Sequence, residues 1–455
     1  MRLLLIATLA AVALPAVSAP AAAPRTFAIK EYVDGEPALG VDARGGAVTT
    51  FGAFAQLAGG KPNEMVESVF ASVRRPRGGF AKPVRIARAD RAVREHALAV
   101  GAGGDAAVLW RSDRPGEPLY VNTMRRDAPF GAAVSIPGSR GGQQPAIAID
   151  ARGRLLATWL APGSPTRCGM EVHAVIVSPG GTFAHPRRLS TSCAHAGYVR
   201  AALARDGDGV VAWRSAGPRS ATSRSSIQVS TYSNRRFHAA RTASTAIGVA
   251  ETLALAAGRH RAVVAWRDHG PPGQPRANRV LEASIDGTQI SRPVVLETTP
   301  NTLVQDVIAS MSSRDGAIVA WQRADDGSSV WDAFARGVIA IRPSSGAPFG
   351  VSDAVGESVE AASDPGLTAV ALDPSGTALA GYGSFVRRHP AAGPWGKAVQ
   401  LRYRREDRDP ANPAGTAIKL GVSDRGEAIA AWIVQYADGD GSSFLRAAVI
   451  PASRS

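Results

Sequence analysis

Charged side chains gather at one recurring place in this chain, shortly after an aromatic residue that ends a short apolar run. Guanidinium groups pair with anionic oxygens, and carboxylates accept hydrogen bonds from hydroxyl and amide donors. A ring of such residues around one opening predicts a binding site for a glycan, a peptide or an anionic polymer, while solvated loop charge remains the alternative. The candidate ligand-binding residues are Arg111, Asp113, Arg214, Arg267, Asp268, His269, Arg323, Asp325 and Asp326.

No catalytic motif accompanies these residues. The sequence contains no G-x-S-x-G elbow, no H-E-x-x-H pair, no Walker loop and no dinucleotide fingerprint, and its eight histidines are dispersed. The Asp-Gly-Asp-Gly segments that begin at Asp206 and Asp438 lack the closing Glu of a calcium loop, so we interpret them as turns. We assign no catalytic residue, no metal site and no cofactor from the sequence, and whether the protein is an enzyme stays open.

The candidate residues are placed by two short patterns that alternate along the chain. The first is a small-apolar run, a turn with Gly and often Asp, and a Val/Ala stretch leading to an aromatic, as in ALARDGDGVVAW at Ala202–Trp213. The second is a Gly- or Pro-flanked aromatic before a short extended stretch, as around Phe80 and Phe183. The first aromatic recurs at spacings of 49 to 61 residues, at Phe51, Trp110, Trp159, Trp213, Trp266, Trp321, Tyr382 and Trp432. Strand-type repeats of this length predict a β-propeller.

Each repeat divides into four strands, a to d, which predicts an all-β fold made of four-stranded antiparallel blades. The first pattern supplies strands a and b, and the second supplies the outer strand d. The chain begins with a d-type segment, Arg25–Val33, and ends with strands a, b and c only. The N-terminal strand is therefore expected to complete the last blade and close the ring. Eight blades is the simplest count, with seven as the fallback.

This strand order predicts two unequal faces. We call the face with the b–c and d–a connections the loop face, and the face with the a–b and c–d connections the turn face. The candidate ligand-binding residues and both cysteines, Cys168 and Cys193, fall on the loop face, and in an exported protein such a pair predicts a disulfide. The recurring a–b turns fall on the turn face and are interpreted as architecture; their aspartates are Asp42, Asp150, Asp208, Asp315, Asp373 and Asp424. The inner strands are expected to hold almost no titratable side chain except Lys419.

The N-terminus has the form of a secretion signal, with Arg2, the apolar run Leu3–Val17 and then small residues. We predict a cleaved signal peptide at residues 1–22, a single propeller domain at 23–455, and a monomer that is secreted to the periplasm or the cell exterior. No other segment of the sequence is long and apolar enough for a transmembrane span. The formal net charge of +14 favours an anionic cell-wall polymer or extracellular glycan as partner, although scattered arginine also matches coding bias. A specific nucleic-acid partner is not expected.

The repeated turn resembles a known family feature. The form D-x-x-G-x(5)-W at Asp150–Trp159, with related segments in each repeat, is similar to the turn-plus-Trp repeats of Asp-box propellers of the sialidase type. That resemblance implies a propeller fold for a secreted bacterial repeat protein. The chain departs from the family in its longer spacing and in lacking the Arg-Ile-Pro element of sialidases. Sialidase activity is therefore not implied.

These observations predict an exported binding or interaction module whose ligand is held by non-repeating loops on the loop face. The alternative is a glycan-active hydrolase or lyase on the same fold, with its acids on that face. A purely structural role is a third hypothesis.

Overall fold

The computed structural model describes residues 24–31, 33–56, 65–87, 92–163, 169–190, 195–216, 225–244, 249–269, 277–300, 303–324, 335–352, 355, 367–382, 385–391, 393–401, 418–435 and 443–452. All regular structure within these ranges is β-strand. The same residues contain no helix that could span a membrane.

The described residues form thirty-four strands, which make up eight antiparallel blades. After β1 (Arg25–Glu31), blades 1 to 3 comprise β2 (Val33–Val41), β3 (Ala47–Gln56), β4 (Met65–Arg74) and β5 (Val84–Arg85); β6 (Val93–Val100), β7 (Ala106–Ser112), β8 (Leu119–Met124) and β9 (Val134–Ser135); and β10 (Gln143–Ile149), β11 (Leu155–Pro162), β12 (Met170–Val177) and β13 (Arg187–Arg188). Blades 4 and 5, whose outer strands are in two pieces, comprise β14 (His195–Leu203), β15 (Gly209–Ala216), β16 (Ser225–Ser233), β17 (Arg236–Phe237) and β18 (Arg241–Thr242); and β19 (Val249–Ala257), β20 (Arg261–His269), β21 (Ala277–Asp286), β22 (Gln289–Ile290) and β23 (Val294–Pro300). Blades 6 to 8 comprise β24 (Leu303–Met311), β25 (Ala317–Ala324), β26 (Ala335–Arg342) and β27 (Gly350–Ser352); β28 (Leu367–Leu372), β29 (Ala378–Tyr382), β30 (Phe385–His389) and β31 (Val399–Gln400); and β32 (Lys419–Val422), β33 (Ala428–Gln435) and β34 (Ser443–Ile450).

The ring is closed by the N-terminal strand. Strand β1 pairs antiparallel with β34, in a register that runs from Arg25 opposite Val449 to Glu31 opposite Phe444. The Phe27 ring also meets the Phe80 ring of blade 1 edge to face, with centroids 6.0 Å apart. Blade 8 therefore takes three strands from the C-terminus and one from the N-terminus. The predicted eight-bladed ring and its closure are both confirmed.

The core lies between neighbouring blades. The aromatic that ends strand b is buried there because each blade is a twisted sheet and the gap between two sheets is wedge-shaped. Trp159 of blade 3, for example, packs with Leu109 of blade 2 in one apolar cluster. The fully buried aromatics of this set are Phe51, Trp110, Trp159, Trp213, Trp266, Trp321 and Trp432.

In blades 1, 3 and 7 the a–b turn is held by the carboxylate of its own first residue. The carboxylate of Asp150 accepts hydrogen bonds from the backbone N–H groups of Arg152 and Arg154, both at 2.8 Å. The fourth residue of the turn has a positive φ, which glycine adopts without strain, and Gly153 has φ 78°. Asp42 and Asp373 accept the same two backbone bonds in blades 1 and 7. The interpretation of these turns as architecture agrees with their geometry.

Asp315 stabilises a turn in a different way. It occupies the fourth, positive-φ position of the blade 6 turn, with φ 63°. From there its carboxylate accepts backbone N–H bonds from Arg259 at 2.6 Å and His260 at 3.0 Å, in the a–b turn of blade 5. That turn begins at Gly258, which has no side chain to accept them. Asp315 therefore supplies to the neighbouring blade the acceptor that it lacks.

The turn face also carries a link across the ring axis. Arg205 of blade 4 and Asp424 of blade 8, which are 219 residues apart and in opposite blades, form a two-pronged ion pair with N–O distances of 2.6 and 2.8 Å. Burial raises the pKa of the Asp424 carboxyl, but hydrogen bonds from Arg205 and Ser313 outweigh this effect and leave the pKa lowered. The a–b turns thus meet over the turn-face end of the axis.

The inner strands differ from the sequence prediction. The small-apolar run of blade 2 predicts strand a only over Ala97–Val100, yet β6 begins at Val93 and includes Glu95 and His96. A β-bulge interrupts the a–b ladder in blades 1 to 7 and lets each inner strand continue toward the loop face. The expectation that Lys419 alone is titratable there was therefore wrong. Burial against blade 1 lowers the pKa of His96 to about 4, an effect partly offset by a hydrogen bond with the Thr50 backbone.

Candidate functional site

The inner rim of the loop face is formed by the bulged ends of the a strands. Gln144 (φ 48°), Tyr198 (φ 53°) and Asp306 (φ 46°) occupy equivalent bulge positions in blades 3, 4 and 6, each opposite the buried Trp of strand b. Positive φ is uncommon for residues other than glycine, and it is costly for a bulky side chain. The bulge turns these side chains out of the regular alternation of the strand, which places polar groups on the rim.

A chain of hydrogen bonds runs along this rim from blade 2 to blade 4. Arg111 forms an ion pair with Glu95 at 3.3 Å, and the other oxygen of Glu95 accepts the backbone N–H of Gln144 at 2.8 Å. The side-chain oxygen of Gln144 in turn accepts the backbone N–H of Tyr198 at 2.8 Å. Each bulge thus positions the next one. The predicted residue Arg111 begins this series in blade 2. The predicted residue Arg214 contacts the ring of Tyr198, where the series ends in blade 4.

Tyr198 is the centre of a basic cluster. The Arg214 guanidinium carbon lies 5.2 Å from the centroid of the Tyr198 ring, in cation–π geometry. Arg200 on the same strand and Arg267 of blade 5 lie in the neighbourhood of Tyr198, because a negative charge on this side chain would raise the pKa of both arginines. The Tyr198 residue is 40% exposed, so the ring remains accessible beside these cations. We call Tyr198, Arg200, Arg214 and Arg267 the Tyr198 cluster.

The two arginines beside Arg214 are held in different ways. Arg267 is buried, and its guanidinium donates to the carbonyl oxygen of Val304 in blade 6. Burial lowers the pKa of Arg267, and Asp306 opposes that shift. Surrounding protein likewise lowers the pKa of Arg200, although this side chain is exposed to solvent. Arg200 therefore reaches solvent at a position where the surrounding protein still disfavours its charge.

The remaining predicted residues are dispersed. Arg323 pairs with Glu297 at 2.8 Å, and Glu297 also accepts the indole N–H of Trp321, which holds that pair within blades 5 and 6. Asp268 is buried and pairs with Arg279 at 2.6 Å. The carboxylates of Glu297 and Asp268 thus pair with neighbouring arginines, away from the Tyr198 cluster.

Three further predictions concern residues near the strand ends. Asp113 directly follows β7, where its backbone N–H donates to Ala92 and its carboxylate accepts from the Ser112 hydroxyl. His269 is the last residue of β20. Asp325 and Asp326 lie outside the described residues.

Sequence analysis missed Glu95, Gln144, Tyr198, Arg200 and Asp306. All five lie on strand a, in or near a bulge, upstream of the small-apolar run that marked this strand. One signal was present, because a polar or aromatic residue stands shortly before the small-apolar run in several repeats. Within the described ranges no cluster of His, Cys, Asp and Glu is arranged to hold a metal ion.

No family model and no curated protein matches this chain. Among solved structures, the Dos1 propeller covers 92% of this chain and 94% of its own length at 10% identity, with a TM-score of 0.47. The polysaccharide lyase Uly1 covers 76% and 88% at 8% identity, also with a TM-score of 0.47. An α-L-arabinofuranosidase from Fusarium graminearum covers 68% and 92% at 13% identity, with a TM-score of 0.37. Likeness at this level carries no inference about the ligand or activity of this chain.

Proposed function

We propose that this protein is an exported binding module whose loop face holds an anionic glycan or another anionic polymer. The Tyr198 cluster carries this proposal, because it combines an accessible aromatic ring with Arg214 against that ring and with exposed Arg200, while buried Arg267 adds a third positive charge. An aromatic face packs against the apolar side of a sugar ring, while guanidinium groups pair with carboxylate or sulfate oxygens. Arg200 forms no ion pair among the described residues, so its charge is available to such a ligand.

The arrangement of the rim supports a rigid site. The backbone of Tyr198 is fixed through Gln144 to Glu95 and Arg111, and its ring is fixed by Arg214. A site that is ordered before binding loses less conformational freedom when the ligand arrives. Non-repeating loops then provide the rest of the contact surface.

The direct test is titration calorimetry with polygalacturonate and with uncharged galactan, at low and high salt. We expect polygalacturonate to bind and galactan to bind weakly, and we expect Arg214→Gln to weaken binding about tenfold. Arg236→Gln is the matched control, because Arg236 is an exposed arginine of the same blade on the turn face. Equal losses in the two variants, or binding only at low salt, would leave general attraction to polyanions as the explanation.

A glycan-active enzyme is the second candidate, favoured by the positive φ of Tyr198. Strained backbone at an accessible polar side chain is a feature of catalytic sites as well as of ligand clamps. A lyase would remove the proton from the carbon next to a uronate carboxylate. A double bond to the adjacent carbon would form, and the glycosidic oxygen on that carbon would leave with a proton.

Tyr198→Phe separates the two functions, because it keeps the aromatic ring and removes only the hydroxyl. A binding module predicts nearly unchanged affinity and no product from either protein. An enzyme predicts turnover by the wild type, seen as unsaturated or reducing ends, that Tyr198→Phe abolishes while still binding the polymer. Phe54→Ala changes an aromatic that is 54% exposed and lies outside the cluster, so it should leave both binding and turnover unchanged.

A further inference from the structure

A large cavity lies on the turn face, whereas the Tyr198 cluster lies on the loop face. It occupies the gap between blades 1 and 2 at the turn face and has a volume of about 1040 Å³. Its floor is apolar and includes Val48, Ala71, Phe80, Met124 and Phe130. These side chains belong to the wedge between two blades, which here is left partly open.

The mouth of this cavity is strongly basic. Six exposed cations from three blades surround it, namely Arg44, Arg75, Arg77, Lys82, Arg126 and Arg425. Only Arg126 forms an ion pair within the described part of the chain, with exposed Asp127 at 3.4 Å. Ion pairs at that exposure contribute little, so the Arg126 charge remains largely available as well.

Two further charges lie deeper. Arg74 is almost fully buried and is anchored by Glu427 at 2.9 Å and by the carbonyl oxygen of Gly45. Asp42 is occupied by the backbone N–H groups of its own turn, and burial raises its pKa. The cavity therefore combines an apolar floor with a net positive mouth, and the carboxylate of Asp42 is engaged by its own turn.

The equivalent gap between blades 2 and 3 shows that this is a local feature. That cavity measures about 440 Å³ and also contains an aromatic from the second repeat pattern, Phe183. Among the described residues that line it, Arg125 is the one basic side chain, and Asp105 accompanies it. The same fold position thus has an apolar pocket in both gaps, and only the first has a ring of cations.

We propose that the blade 1–2 cavity is a second ligand site, for an amphipathic anion with an apolar body and a sulfate, sulfonate, phosphate or carboxylate group. The apolar body would displace water from the floor between Phe80 and Phe130, and the anionic group would reach the arginines at the mouth. Because the cavity and the Tyr198 cluster lie on opposite faces, this site is independent of the loop-face function.

Two fluorescent probes with one body test the chemistry. Anilinonaphthalene sulfonate carries the anion, and N-phenylnaphthylamine is the same body without it. We expect the sulfonate to bind with one molecule per chain and about tenfold more tightly than the neutral amine. Inorganic sulfate at the same concentration should not displace it. Equal affinity of the two probes, or displacement by sulfate alone, would overturn the amphipathic assignment.

Paired variants test the location. Arg75→Gln with Arg126→Gln should weaken the sulfonate about tenfold or more, whereas Arg125→Gln with Arg152→Gln should leave it unchanged. Both pairs remove two exposed arginines from the turn face, and Arg125 precedes Arg126 in one turn but lines the other cavity. Equal losses in both pairs, or no loss in the first, would refute the site. Lys82→Gln, with thermal melting to confirm the fold, provides a third variant at the mouth.

Discussion

The carboxylate of Asp150 on the turn face and the ring of Tyr198 on the loop face lie at opposite ends of the a strands and serve different purposes. Asp150 turns inward and satisfies the N–H groups of its own turn, an arrangement that Asp42 and Asp373 repeat. Tyr198 turns outward at a bulge and meets solvent and arginines. One end of the strand is constrained by backbone hydrogen bonds that every blade must satisfy. The other end is free to differ from blade to blade.

The turn face therefore serves mainly the stability of the ring, and the loop face can vary to recognise a ligand. Residues in the a–b turns have their polar atoms committed to the backbone, to a neighbouring blade or to the ion pair across the axis. Rim residues reach one another through side chains, so each can change with only its neighbours affected. The blade 1–2 cavity is an exception on the turn face, because exposed cations of the a–b turns and of the c–d connections surround its mouth.

The largest effect is expected from removing the strand that both faces depend on. A chain that begins at Val33 lacks β1, so β34 loses its whole partner ladder and the Phe27–Phe80 contact. We expect the free energy of unfolding to fall by on the order of 5 kcal/mol, measured by denaturant unfolding. The control is a chain that begins at Pro24. Indistinguishable unfolding of the two chains would contradict the closure.

A disulfide would give the loop face a structural element of its own. Cys168 and Cys193 lie outside the described residues, so the bond remains a prediction. Met170 and His195, each two residues after a cysteine, are parallel bridge partners that join blade 3 to blade 4, which supports it. Non-reducing mass spectrometry should show the linkage, and Cys168→Ser with Cys193→Ser should cost about 3 kcal/mol. Two free thiols would exclude it.

One substitution on each face tests whether stability and ligand binding are separate properties of the two faces. Asp315→Ala removes the acceptor for two strong backbone bonds of the blade 5 turn, so we expect it to cost about 2 kcal/mol of stability and leave ligand binding unchanged. Tyr198→Gly should weaken ligand binding, because it removes the ring of the cluster. It should leave the free energy of unfolding nearly unchanged, because glycine adopts the positive φ without strain. Urea unfolding and calorimetry on the same samples measure both. Loss of stability in Tyr198→Gly comparable to that in Asp315→Ala would erase the distinction.

The smallest effect is expected for the ion pair across the axis. Its side chains are about one-third exposed, so a double-mutant cycle on Arg205→Gln and Asp424→Asn should give less than about 1 kcal/mol of coupling. The pKa of Asp424 is lower in the folded state, so its contribution is complete above the unfolded-state pKa. It should disappear as the pH falls through the folded-state value. Coupling that does not change across this acidic range would contradict the assignment.

Much of the fold could be predicted from the repeats, because a buried aromatic after a Gly-containing turn is a local signal that recurs with the blade. The residues of the candidate site could be predicted only in part. Arg111 and Arg214 were found because they follow that aromatic, whereas Glu95, Gln144 and Tyr198 were missed. Their bulges depend on how strand a pairs with strand b, and no short pattern encodes that pairing.

The sequence by itself determined the propeller fold, the order of strands and the completion of the last blade by the first strand, since local turn and burial patterns repeat with each blade. It favoured eight blades over seven, and the structure decided that count. Only the tertiary structure brought Tyr198 to Gln144, Asp315 to the turn of blade 5, and Arg205 to Asp424. These contacts join different blades. Their geometry follows from the curvature of the ring and the depth of each bulge, which are properties of packed sheets and not of any one segment.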